Sequence, residues 1–159
     1  MAADSEGRAS EDRTKVSGGC ACGEVRFGFY EPIRFQAACH CRACQYTSGG
    51  GPAYVVGVAK DQFRVTRGHP AEFATLSEAG HLVTRLFCGV CGTHLYSLSE
   101  ATPGVCVLKV GALDDPSKFR PKLQIWTSEA QPWHRKFAFA LRFRRNPPLL
   151  VGRAKATSD

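Results

Sequence analysis

Eight cysteines in 159 residues, seven of them in three tight clusters, constrain this chain more than any other feature of its sequence. The clusters are Cys20-Ala21-Cys22-Gly23, Cys39-His40-Cys41-Arg42-Ala43-Cys44 and Cys88-Gly89-Val90-Cys91-Gly92. Half-cystines two residues apart rarely bridge each other, and a disulfide framework belongs to short secreted chains, so the clusters read as metal thiolates in a reducing compartment. On extended backbone, positions i and i+2 share a face, which lets Cys20 and Cys22 offer two sulfurs to one ion. A CxxC followed by glycine forms a tight knuckle, and Cys88 and Cys91 supply two more. Together the four close a tetrahedral site that ties an early hairpin to a late one. The middle cluster has three thiols within six residues, so Cys39, Cys41 and Cys44 can share a second metal that is left one ligand short of a tetrahedron. Thiolate-rich tetrahedral sites of this kind favour zinc, and two such ions account for seven of the cysteines.

The remaining sulfur, Cys106, lies in the apolar run Val105-Cys106-Val107-Leu108 and is expected to fill core. His40 sits between two ligands and should point away from them. His94, three residues after Cys91, is not expected to be a ligand, and His69 and His81 read as surface residues in turns.

The rest of the chain favours short strands. Glu24 to Tyr30 alternates, Ala53 to Val58 is a buried-type run, and Phe63 to Thr66 with Glu72 to Leu76 flank Gly68-His69-Pro70 as a hairpin. Further strands are expected at Leu82 to Phe87, His94 to Leu98, Val105 to Val110, Lys122 to Trp126 and within residues 137 to 144. Leu113 to Ser117 has the Asp, Pro and Ser of a turn or one helical turn. Sixteen glycines and nine prolines punctuate these runs every eight to twelve residues, leaving no room for long helices. The expected fold is mainly β, a single compact zinc-binding β-sandwich-like domain with few or no helices. Its boundaries are residues 17 to 145, after a disordered leader (1 to 16) and before a flexible tail (146 to 159).

No stretch approaches the ~20 consecutive apolar residues of a membrane helix, and the start of the chain lacks a secretory signal. A cytoplasmic location follows, with the nucleus equally reducing. The formal charge of +7 is concentrated late: residues 1 to 129 carry 14 Lys or Arg against 13 Asp or Glu, and residues 130 to 159 carry 7 against 1. Seven thiolates with two Zn²⁺ add −7 + 4 = −3, leaving about +4 on the metallated protein.

Five ordered segments resemble the glutathione-dependent formaldehyde-activating enzyme family, which also includes the domain of centromere protein V. They are GGCACGEVRF (Gly18 to Phe27), CHCRACQ (Cys39 to Gln45), FCGVCGTHLY (Phe87 to Tyr96), VGALDDP (Val110 to Pro116) and IWTSEAQPW (Ile125 to Trp133). The resemblance implies a β-rich zinc fold, a structural zinc on the first and third clusters and an exchangeable catalytic zinc on Cys39, Cys41 and Cys44. It also implies a carbon–sulfur lyase activity that joins glutathione, a small-molecule thiol, to formaldehyde. The segment after Trp133 departs from the family pattern.

For that chemistry, Gln45, Thr47, Ser48 and Gly49 are placed to offer hydrogen-bond donors to the carbonyl oxygen, Arg42 to pair with a substrate carboxylate, and Trp126 and Trp133 to wall a pocket. Two other readings compete. One is a non-catalytic zinc scaffold that docks nucleic acid or an acidic protein on Arg142, Phe143, Arg144 and Arg145. The other is an open zinc that hydrolyses a different electrophile such as an imine.

Overall fold

The computed structural model describes residues 15–147. Its strands are β1 (Lys15–Gly19), β2 (Arg26–Tyr30), β3 (Phe35–Cys39), β4 (Ala53–Ala59), β5 (Phe63–Arg67), β6 (Ala71–Leu76), β7 (Leu82–Phe87), β8 (His94–Ser99), β9 (Val105–Lys109), β10 (Leu123–Ile125) and β11 (Leu141–Arg142). The single α-helix among the described residues, α1 (Arg42–Tyr46), follows β3 directly. A three-stranded sheet runs β1-β2-β5, and an eight-stranded sheet runs β11-β10-β3-β4-β9-β8-β7-β6. All pairings are antiparallel except those of β10 with β3 and with β11.

The two sheets face each other as a mainly β sandwich, as the sequence suggests. Side chains alternate along each strand, so one face of the large sheet presents Val56, Val58, Leu86, Tyr96, Cys106 and Leu108, and the small sheet answers with Phe27, Phe29 and Phe63. Cys106 is fully buried in this layer, and burial pushes its thiol up to about 12. It is core filling, as expected.

The opposite face of the large sheet carries a second, shallower cluster of Ala37, Cys39, Ala53, Val55, Leu123 and Ile125. Phe35, Cys41, Cys44, Val107, Trp126 and Phe143 pack against it. Gly57 makes this face possible, since a Cβ there would lie 2.1 Å from the Phe35 ring, which lies across it. Gly18 serves the other end of the fold: a Cβ would meet the Ala112 carbonyl oxygen at 2.3 Å, where β1 bridges to Leu113. The Asp114 carboxylate in the same turn accepts from Ser17 Oγ at 2.6 Å and pairs with Arg26, so the VGALDDP segment pins the first hairpin.

Four expectations change. Phe63 to Thr66 and Glu72 to Leu76 do not form a hairpin: β5 pairs with β2 and β6 with β7, so Gly68-His69-Pro70 carries the chain from one sheet to the other. Lys15 and Val16 open β1 instead of ending a leader, whose residues 1–14 lie outside the described residues. The late strand is only Leu141–Arg142. The turn expected at Leu113 to Ser117 is present, with Asp115 Oδ1 accepting from Ser117 N–H at 3.0 Å, and a 3₁₀ turn at Val110–Ala112 precedes it. At the far end Asn146 Oδ1 accepts from Trp126 Nε1 at 2.9 Å and Pro147 is buried, so ordered packing runs past residue 145. Residues 148–159 of the expected tail lie outside the described residues. No helix among the described residues is long and apolar enough to cross a membrane.

Candidate metal centres

The β1–β2 connection carries Cys20 and Cys22, and the β7–β8 connection carries Cys88 and Cys91. Their four Sγ atoms lie within 4.8 Å of one another. Cys20 Sγ is 3.5 Å from Cys22 Sγ, and Cys22 Sγ is 3.7 Å from Cys88 Sγ. Four sulfurs at ~2.3 Å from a tetrahedral zinc would be ~3.8 Å apart, so the donor set fits that ion. Backbone and hydroxyl donors already point at the sulfurs: Val25 N–H donates to Cys20 Sγ at 3.1 Å, and Cys91 Sγ lies 3.2 Å from Thr93 Oγ1. The Thr93 hydroxyl and backbone N–H draw the Cys91 thiol down to about 5. Cys22 stands at about 12, because its neighbours Cys20 and Cys91 outweigh the backbone N–H of Glu24 that favours its thiolate. Crowded thiols cannot all carry charge together unless a cation sits among them.

The second group, Cys39, Cys41 and Cys44, also has its Sγ atoms within 4.8 Å of one another, and no fourth Cys, His, Asp or Glu joins it among the described residues. Its geometry comes from a strand running into a helix. Cys39 ends β3, Cys41 is the N-cap of α1, and Cys44 lies in the first turn with its N–H 3.4 Å from Cys41 Sγ. A helical turn thereby brings i and i+3 to one side. Hydrogen bonds from Cys39 and Cys41 hold the Cys44 thiol well below its ordinary value, and Lys109 and Arg85 pull the same way. Hydrogen bonding to Cys41 and Cys44, with burial, pushes Cys39 up.

His40 points away from the cluster, as the alternation predicts. Only 1% exposed, it meets His134 with 3.0 Å between their Nδ1 atoms. His134 Nδ1 also accepts from Gln131 N–H at 3.3 Å and its Nε2 lies 3.0 Å from the Gly50 carbonyl oxygen, so the His134 proton is on Nε2 and that of His40 on Nδ1. His40 Nε2 is left a buried acceptor without a partner among the described residues. Burial and the neighbouring His134 lower the His40 pKa below 6.5.

Several residues assigned to substrate have internal partners. Gln45, 1% exposed, donates from Nε2 to the carbonyls of His40 (2.7 Å) and Glu129 (2.9 Å), and its Oε1 accepts from Arg42 and Gln131. Both donors of its side-chain amide are thus engaged beneath the loop. Thr47 caps the helix C-terminus: its hydroxyl donates to Cys44 O at 3.1 Å and accepts from Lys109 Nζ at 3.2 Å. Ser48 N–H donates to Gln45 O, and Gly49 takes the left-handed φ of 64° that turns the loop. Arg42 bonds Gln45 and lies over the Tyr46 ring at 4.3 Å. Trp126 packs on the second cluster beneath Arg145, while Trp133, 67% exposed, stands edge-on to His134 beside Gly50.

Glu129, Gln131 and His134, which the sequence reading passed over, brace the three-cysteine loop from behind; the signal was their position in or next to IWTSEAQPW. The basic run at the C-terminus is docked as well. Arg142 lies in β11, Phe143 packs on the second cluster, and Arg145 pairs with Glu78 at 2.6 Å. Only part of this run is therefore free to meet an acidic partner.

A family model described as glutathione-dependent formaldehyde-activating enzyme matches residues 15–129. A solved structure of a Rhodobacter sphaeroides protein is similar in fold, with a TM-score of 0.51 and 19% identity, over 62% of this chain and 87% of that one. No curated protein matches the sequence.

Proposed function

This chain belongs to the glutathione-dependent formaldehyde-activating enzyme family, and from that premise we propose that it joins a small thiol, glutathione, to formaldehyde at Cys39, Cys41 and Cys44. The observation that carries the reading is the contrast between the two cysteine groups: four sulfurs converge in one and three in the other. Cys20, Cys22, Cys88 and Cys91 would hold a structural zinc, and Cys39, Cys41 and Cys44 an exchangeable one. Bound there, zinc would accept a soft fourth ligand and lower the pKa of an incoming thiol, supplying a nucleophile at neutral pH.

The protein's own residues hold this centre in place. Cys41 Sγ caps α1 and fixes Cys44 relative to Cys39. Gln45, Glu129 and His134 lock the loop that follows from behind. Val107, half-buried on the same face of the large sheet, offers apolar surface on which a small carbonyl can rest near the sulfurs. Attack of the thiolate on formaldehyde forms the carbon–sulfur bond and moves the carbonyl π pair onto oxygen. The proton that left sulfur ends there, giving S-hydroxymethylglutathione with atoms in balance.

Exchange NMR on zinc-loaded protein with glutathione and formaldehyde provides the test. We expect interconversion of free and hydroxymethylated glutathione to accelerate in proportion to protein concentration. Exchange no faster than in buffer would remove this reading.

A further inference from the structure

The open face of the large sheet places three basic side chains beside the three-cysteine centre. Arg85 on β7 pairs with Ser97, which pairs with Val107 on β9, and Lys109 follows two residues later on the same face. Val107 packs, as Cys41 and Cys44 do, against the cluster that contains Cys39 and Val55, and Lys109 is paired with Val55. His94 reaches this face through an irregularity. Leu86 pairs with Tyr96 but Phe87 pairs with His94, so Leu95 is an extra residue and both Leu95 and Tyr96 turn into the core. The bulge swings His94 to the side of Phe87, whose ring centroid is 5.8 Å from its own.

We propose that Arg85, His94 and Lys109 form a carboxylate-binding subsite beside Cys44 that takes one carboxylate of the thiol. The proposal rests on the thiol reading above and adds to it the residues that select the substrate. Lys109 is tied to the centre, because its Nζ lies 3.2 Å from the Thr47 hydroxyl, which itself bonds the Cys44 carbonyl. Arg85 and Lys109 are both half-buried, and among the described residues neither pairs with a carboxylate; the two ion pairs found there are Arg26–Asp114 and Arg145–Glu78. Partly desolvated cations without a carboxylate partner of their own leave hydrogen-bond donors free for an anion. Burial, and after it the positive charges of Lys109 and Arg85, lower the His94 pKa, so the three side chains share one neighbourhood. Arg42, the sequence-based choice for this role, is already bonded to Gln45.

The test compares S-methylglutathione, which keeps both carboxylates but has no thiol proton to lose, with its diethyl ester, using calorimetry on zinc-loaded protein. Wild type should bind the acid more tightly than the ester. Lys109→Met and Arg85→Met should each weaken the acid about 10- to 100-fold, the range for a lost charge-assisted hydrogen bond, and leave the ester unchanged. In turnover the same variants should raise KM for glutathione with kcat retained. Equal weakening of acid and ester would assign these residues a structural role and overturn the subsite, as would variants that change neither. Wild type that turns over glutathione but binds ester and acid alike would overturn the subsite and spare the thiol reading. Wild type that binds neither compound and shows no conjugation would overturn both.

Discussion

Replacing Cys88 with serine is expected to unfold most of the domain. Cys88 is fully buried, and its sulfur lies 3.7 Å from that of Cys22, 66 residues earlier. The four-sulfur site joins the β1–β2 turn of the small sheet to the β7–β8 turn of the large one, and closing so long a loop removes substantial entropy from the unfolded chain. A serine hydroxyl has too high a pKa to replace a thiolate as ligand, so the variant should lose both the ion and the clasp. Structural zinc sites contribute folding free energy outright, and a loss of about 5 kcal/mol would consume much of the ~5–15 kcal/mol that holds a domain together. Thermal unfolding followed by circular dichroism should show a midpoint lower by about 15 °C or no folded baseline at all. A Cys88→Ser protein with the wild-type midpoint would show that this cluster does not brace the fold.

Cys41→Ser should do the reverse, abolishing turnover without unfolding the chain. Cys41 is the N-cap of α1 and accepts the Cys44 N–H. Serine is among the preferred N-cap residues, so the substitution keeps the local hydrogen bond while removing a thiolate from the three-sulfur centre. The unfolding midpoint should stay within a few degrees of wild type, and one of two zinc ions should be lost on dialysis. Loss of an outer-shell partner costs a metal site about 10- to 100-fold, and loss of a ligand should exceed that. Conjugation of glutathione with formaldehyde should therefore fall more than ~100-fold. Residual activity near wild type would move the chemistry away from this centre.

The cysteine clusters were legible because sulfur spacing is a local property, although Cys20 and Cys22 converge on a turn closed by the Gly23 N–H on the Cys20 carbonyl and not on the extended chain that their spacing suggests. The strands with β-branched or alternating sequence, such as Ala53–Ala59 and Leu82–Phe87, were legible for the same reason. Lys15–Gly19 was not, since KVSGG has one large apolar residue and ends in glycines needed by tertiary contacts at Gly18. Arg42–Tyr46 was hidden because five residues cannot show a 3.6-residue period and the cap is a cysteine. Gly68-His69-Pro70 has the composition of a hairpin turn, but Gly68 lies against the Glu24 carbonyl, where the chain changes sheets. The basic subsite was invisible in one dimension: Arg85 and Lys109 come from different strands, and a single extra residue at Leu95 decides which face His94 takes.

The central claim is that one ion is saturated by protein sulfur and the other is not. X-ray absorption at the zinc edge measures this directly on protein carrying its full metal complement. The four-sulfur and three-sulfur groups predict two zinc ions per chain with a mean of (4 + 3)/2 = 3.5 sulfur neighbours, rising to 4 when glutathione is added. A single zinc per chain, a histidine nitrogen in the first shell, or a sulfur count unmoved by glutathione would contradict it.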